Sequence, residues 1–77
     1  MKNKEDKIIT NFFDNFISLA EKRLIDKKLT KAKLAETVGV SAAYITQIFN
    51  NKKMPTLNIF LMIALALDIN VYVEKEK

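Results

Sequence analysis

The chain has 77 residues, 49% of them hydrophobic, with 13 basic against 9 acidic side chains and a net charge of +4. That length suits one compact domain spanning 1–77, near the lower limit for folding around a core without covalent or metal staples. The absence of cysteine and histidine excludes disulfides, the usual zinc sites and histidine acid/base catalysis, and a single glycine cannot write a phosphate-cradling loop, so neither an enzyme nor a cofactor is expected.

From Asn3 to Lys28 the apolar residues Ile8, Ile9, Phe12, Phe13, Phe16, Ile17, Leu19, Ala20, Leu24 and Ile25 recur at spacings of three and four, with charges between them. That pattern predicts a long amphipathic first helix within 1–28. Its phenylalanines Phe12, Phe13 and Phe16 suit a core or a dimer interface better than a stacking platform for single strands, because their spacing is helical and no basic residue separates them. Thr30 is a plausible N-cap for a second helix with Leu34, Ala35 and Val38 inward, which Gly39 stops. Ser41 caps a third helix whose buried stripe is Ile45, Ile48 and Phe49. Residues 31–49 therefore read as helix, tight turn, helix.

In "NNKKMPT" the Asn pair favours a turn and Pro55 discourages helix at Met54. Thr56 can then cap a fourth helix over 57–67, apolar almost all round, as expected of a core helix buried beneath its neighbours. Its apolar run "IFLMIALAL" has nine residues, against the roughly 20 that span a bilayer, so no membrane partner is expected. The N-terminus lacks the layout of a signal peptide, and a cytoplasmic location is expected. Past Asp68, "INVYVE" alternates apolar and polar residues and predicts a strand over 69–74, with a fifth helix or a frayed tail as the alternatives. No second strand is legible in the chain, so the simplest pairing is with the same strand of a second copy across a dimer axis.

The fold class implied is all-α, a compact bundle of four to five helices with that strand as an addition. Charge is unevenly spread: seven basic and five acidic residues over 1–28, four and one over 29–56, two and three over 57–77. The middle third therefore faces a polyanion best. With Ile45, Ile48 and Phe49 inward, the helical step leaves Ala43, Thr46, Gln47 and Asn50 outward and Tyr44 on the flank. Two short helices joined by a tight turn, the second with a small uncharged face, fit a B-DNA major groove. Gln47 can bond bidentately to adenine, Thr46 offers a hydroxyl and a methyl, and Ala42 or Ala43 can touch thymine methyls.

Residues 29–69, "LTKAKLAETVGVSAAYITQIFNNKKMPTLNIFLMIALALDI", resemble the Cro/lambda-repressor-type (XRE) helix-turn-helix family. They share its Leu-Thr opening, the Leu-Ala of the second helix, Gly-Val-Ser at the turn, a basic Pro-containing loop and a closing A-x-A-L. The resemblance implies base contacts from Ala42, Ala43 and Gln47, and phosphate contacts from Lys31 and from Asn50, Asn51, Lys52 and Lys53. Ser41 and Tyr44, at the start of the third helix, complete the candidate set, Tyr44 either touching DNA or covering the seam between helices. Lys33 and Arg23 are weaker phosphate candidates. Many members end the third helix with Glu-x-Gly, the Glu pairing with an Arg of the first helix. Here Phe49, Asn50 and Asn51 stand in that segment and Leu24 takes the Arg position, which implies an apolar Leu24–Phe49 contact without the cost of desolvating two charges. Asn51 in place of Gly is tolerable because Asn visits positive φ more easily than other side chains.

Two functions follow from this reading. The first is a sequence-specific double-stranded DNA-binding regulator, a repressor acting as a homodimer on a palindromic operator. The second is a protein-interaction module, such as an antitoxin neutralising a toxin, with DNA contact secondary. The dimer would form through the C-terminal strand or through the Phe-rich first helix.

Overall fold

The computed structural model describes residues 4–71, which form four α-helices: α1 (Lys4–Lys27), α2 (Lys31–Val38), α3 (Ala42–Phe49) and α4 (Leu57–Ala66). The all-α expectation holds. Of the expected strand, Tyr72 to Glu74 lie outside the described residues, and Ile69 to Val71 carry no regular secondary structure.

Local chemistry starts three of the helices as their sequences predict. Thr30 Oγ1 accepts from the Lys33 N–H at 3.0 Å, Ser41 Oγ from the Tyr44 N–H at 3.0 Å, and Thr56 Oγ1 from the Ile59 N–H at 3.3 Å. Each cap satisfies one amide that the first turn leaves without an intrahelical partner. The helix ends share one device. Lys28, Gly39, Asn51 and Asp68 all have positive φ, and the amide of the following residue bonds back to a carbonyl five residues earlier: Leu29 to Leu24, Val40 to Ala35, Lys52 to Gln47 and Ile69 to Ala64. This is the Schellman closure, normally written with glycine. At Gly39 (φ 91°) an added Cβ would meet nothing within 4 Å, so the backbone angle and not the space demands glycine.

One buried cluster unites the four helices: Phe13, Phe16, Ile17, Ala20 and Leu24 of α1; Leu34, Ala35 and Val38 of α2; Ile45, Ile48 and Phe49 of α3; Ile63 and Ala64 of α4; then Leu67 and Ile69. The expected inward sets of α2 and α3 are borne out in full. Leu24 and Phe49 both sit in the cluster, as their substitution for a charged pair requires. Phe60 joins α4 to α1 by packing against Phe16, ring centroids 4.5 Å apart, and against Phe12 at 6.2 Å.

Three expectations need correction. On α1 the buried stripe is narrower than the apolar pattern: Ile8, Ile9, Phe12, Leu19 and Ile25 are exposed, Ile25 at 76%. The α4 helix is not buried under its neighbours. Only Ile63 and Ala64 are buried within it, while Leu57 (70%), Leu61, Met62 and Leu65 (78%) face outward. The three helices available to cover it reach one side only, and a helix whose sole polar residue is Asn58 has no polar face to turn away from them. The helix also stops at Ala66, one residue short of the expected 67.

Candidate nucleic-acid interface

The α2–turn–α3 unit is built from the capping and closure just described. Gly39 reverses the chain, Ser41 restarts it, and Ile45 and Ile48, both fully buried, anchor α3 to the core. Anchoring at these positions leaves Ala42, Ala43, Thr46 and Gln47 exposed along the opposite face, with Tyr44 partly buried at its edge. The exposed face carries no charge and nothing larger than Gln47, so it can approach another surface closely.

The loop after α3 is tied to this helix through its backbone. Asn50 donates its N–H to Thr46 O at 2.9 Å, Asn51 to Ile48 O at 3.1 Å and Lys52 to Gln47 O at 2.8 Å. Asn51 adopts φ 62°, the left-handed position anticipated from its replacement of glycine. This closure fixes the backbone of the exposed Lys52 just beyond the end of α3, and the exposed Lys53 follows it. Lys53 Nζ lies 5.7 Å from the centroid of the Tyr44 ring, a cation–π distance that holds the ammonium beside α3. Tyr44 thus covers the seam and at the same time positions a loop lysine.

At the other end, Lys31 opens α2. Its Nζ lies 5.2 Å from the Phe49 ring centroid and 3.9 Å from Glu21 Oε2 of α1. The Phe49 ring so serves as the platform for a lysine. The structure therefore brings Ser41, Ala42, Ala43, Tyr44, Thr46 and Gln47 together on α3 and flanks them with Asn50, Asn51, Lys52 and Lys53. It also reveals Glu21 as a competitor for Lys31. No spacing in the sequence pairs Glu21 with Lys31, because the pair depends on how α1 crosses α2.

The weaker candidates are accounted for otherwise. Arg23 turns inward, its Nη1 donating to Leu67 O at 3.0 Å and to Asp68 O, so it satisfies the two carbonyls just past the end of α4. Lys27 pairs with the Asp68 carboxylate beside it, and Lys33 lies 3.4 Å from Glu36 within α2. The hydrogen bond and charge of Lys27 hold the Asp68 carboxyl below its ordinary value of 3.8 against the opposing effect of desolvation, with the charge of Arg23 adding least. Among the described residues no helix is long and apolar enough to cross a membrane, and no three carboxylates gather as a metal-binding group.

Comparison with known families finds a helix-turn-helix model that matches residues 19–72. No curated protein and no solved structure matches the chain. The matched segment spans the capped α2–turn–α3 unit, its basic loop and α4, and on that match the chain belongs to the Cro/lambda-repressor-type helix-turn-helix family, a family of DNA-binding regulators and not of enzymes.

Proposed function

We propose that this regulator is a cytoplasmic repressor, one domain per chain, that binds a palindromic operator as a homodimer. Each protomer lays α3 in the major groove, and the two α3 helices enter successive grooves about 34 Å apart. Ala42, Ala43, Thr46 and Gln47 meet base edges, with Gln47 bidentate to adenine. Lys31, Asn50, Asn51, Lys52 and Lys53 take phosphates, with Tyr44 and the capped Ser41 at the edge of the contact. The observation that carries the reading is the small uncharged α3 face with lysine ammonium groups beside its helix, Lys31 next to the Phe49 ring and Lys53 next to the Tyr44 ring.

The first test is selection of sites from a random double-stranded DNA pool at about 0.1 M salt, followed by sequencing. An inverted repeat is expected. With three phosphate-contacting lysines per protomer, the log-log salt slope on that repeat should lie near −5. A slope near zero on every duplex tried would refute the reading.

The exposed apolar side chains of α1 and α4 favour a second reading, a module that neutralises a protein partner such as a toxin and binds DNA secondarily. Replacing Gln47 and Lys52 by Ala separates the two. The substitutions abolish the physiological interaction under the first reading and leave it intact under the second.

A further inference from the structure

Residues 42–49 of α3 contain no charged side chain, so any ammonium group beside this helix is brought to it from elsewhere in the chain. Two are held there by rings of α3 itself: Lys31 of α2, 5.2 Å from the Phe49 centroid, and Lys53 of the following loop, 5.7 Å from the Tyr44 centroid. The partners of the lysines differ in what they leave for a phosphate. Lys27, Lys31 and Lys33 each face a carboxylate, which orders the ammonium but cancels its charge. Lys53 is not among these pairs. Its aromatic partner attracts the ammonium through the ring quadrupole and leaves the net charge intact, so Lys53 is ordered and still a full cation.

The platform is itself fixed. Tyr44 is partly buried, packs against the core cluster, and donates its N–H to Ser41 Oγ at 3.0 Å. On the loop side, the left-handed Asn51 and the Lys52 N–H bond to Gln47 O set the backbone from which Lys53 departs. A lysine stem is flexible and loses rotamer freedom when a phosphate pins its head. Resting on the ring before DNA arrives removes part of that loss from the binding step.

We infer that Tyr44 is a positioning residue of the DNA contact: its ring, and not its hydroxyl, contributes to operator affinity, by holding the Lys53 ammonium beside α3 where a phosphate meets it. The inference rests on the DNA-binding reading above. It goes beyond the two roles that the sequence leaves open to Tyr44, a direct contact with DNA and a cover for the seam between helices.

A double-mutant cycle on the full chain separates ring from hydroxyl and pairing from packing. Wild type, Tyr44→Phe, Tyr44→Leu, Lys53→Ala and the combined Tyr44→Leu, Lys53→Ala chain are titrated over a range of salt against the operator recovered by selection. Tyr44→Phe keeps the ring and should bind within about twofold of wild type, whereas Tyr44→Leu should weaken binding by about two- to fivefold per protomer. Lys53→Ala should make the salt slope shallower by about 0.9 per protomer, and in that background Tyr44→Leu should add nothing further. A loss of the same size with and without Lys53 assigns Tyr44 to the seam alone, and an equal loss in Tyr44→Phe and Tyr44→Leu assigns it to a hydroxyl contact; either overturns the inference. In the proton NMR spectrum of the free protein, the Lys53 methylenes should be shifted upfield by the ring in wild type and in Tyr44→Phe. Unshifted methylenes overturn the inference even where Tyr44→Leu does not fold. If wild type binds with the expected salt slope and Tyr44→Leu matches it, the positioning role falls while the DNA-binding reading stands. If wild type shows no salt dependence on any duplex, that reading falls and the positioning role with it.

Discussion

Helices α3 and α4 follow the same rule on their inner faces and opposite rules on their outer ones. Both begin on a hydroxyl cap, both bury at least one isoleucine completely, and both end on a non-glycine residue at positive φ. Outward, α3 shows Ala42, Ala43, Thr46 and Gln47, whereas α4 shows Leu57, Leu61 and Leu65. Inner faces hold the fold, whereas the outer faces are free to differ: small and uncharged on α3, large and apolar on α4.

The largest expected effect tests the shared inner rule. Ile45→Ala in α3 and Ile63→Ala in α4, both fully buried, should each cost about 2–5 kcal/mol of stability in urea unfolding. Leu65→Ala, at 78% exposure, should change the stability of the isolated protomer by less than about 0.5 kcal/mol. A large loss at Leu65 in dilute monomer would erase the contrast between the faces of α4.

The next effect sharpens the outer difference. Gln47→Ala should weaken operator binding by about 1–3 kcal/mol in a titration and relax base preference at one position, with an unchanged unfolding midpoint. Equal weakening on all sequences would move Gln47 from base contact to backbone contact.

A smaller change concerns the flank of the α3 face. Lys31 now stands between Glu21 and the Phe49 ring. Glu21→Gln releases it and removes a carboxylate that repels phosphate. Operator affinity should rise by about 0.2–1 kcal/mol per protomer, the worth of an exposed ion pair. An unchanged affinity would mean that Lys31 does not reach the backbone of the duplex.

The smallest effects lie at the two helix ends. Asn51→Gly should stabilise by about 0.5 kcal/mol, since Asn already tolerates the left-handed region better than most side chains. At the end of α4, Asp68 has a carboxyl pKa lowered by Lys27, so the folded state binds its proton less tightly than the unfolded state does. The contribution is therefore complete above the ordinary value of 3.8 and fades as the pH falls through the lowered folded value. Asp68→Asn should flatten this acid limb of the stability profile and leave neutral DNA binding unchanged.

Much of the α3 region was legible in the sequence because its determinants are local. Thr30, Ser41 and Thr56 bond to amides three residues away, and Gly39 answers a requirement of its own backbone. The stripe Ile45, Ile48 and Phe49 has a strong helical period, so its inward turn could be read directly. The α4 region was not legible in the same way. A helix of ten uncharged residues, nearly all apolar, has no contrast between its sides, and no pattern within it says which side neighbours will cover. Lys28 and Asp68 hid as well, since neither residue type advertises a left-handed helix end as Gly39 does.

By itself, then, the sequence determined where α2, α3 and α4 start, where α2 and α3 turn, and which side chains α3 offers to solvent, because hydrogen bonds and periodicity act within a few residues. Only the tertiary structure decided that α4 keeps its leucines in water, that Arg23 satisfies the carbonyls just past α4 and does not wait for a phosphate, and that Glu21 shares Lys31. Each of these depends on which helix crosses which, and burial or pairing is a property of two surfaces and not of one.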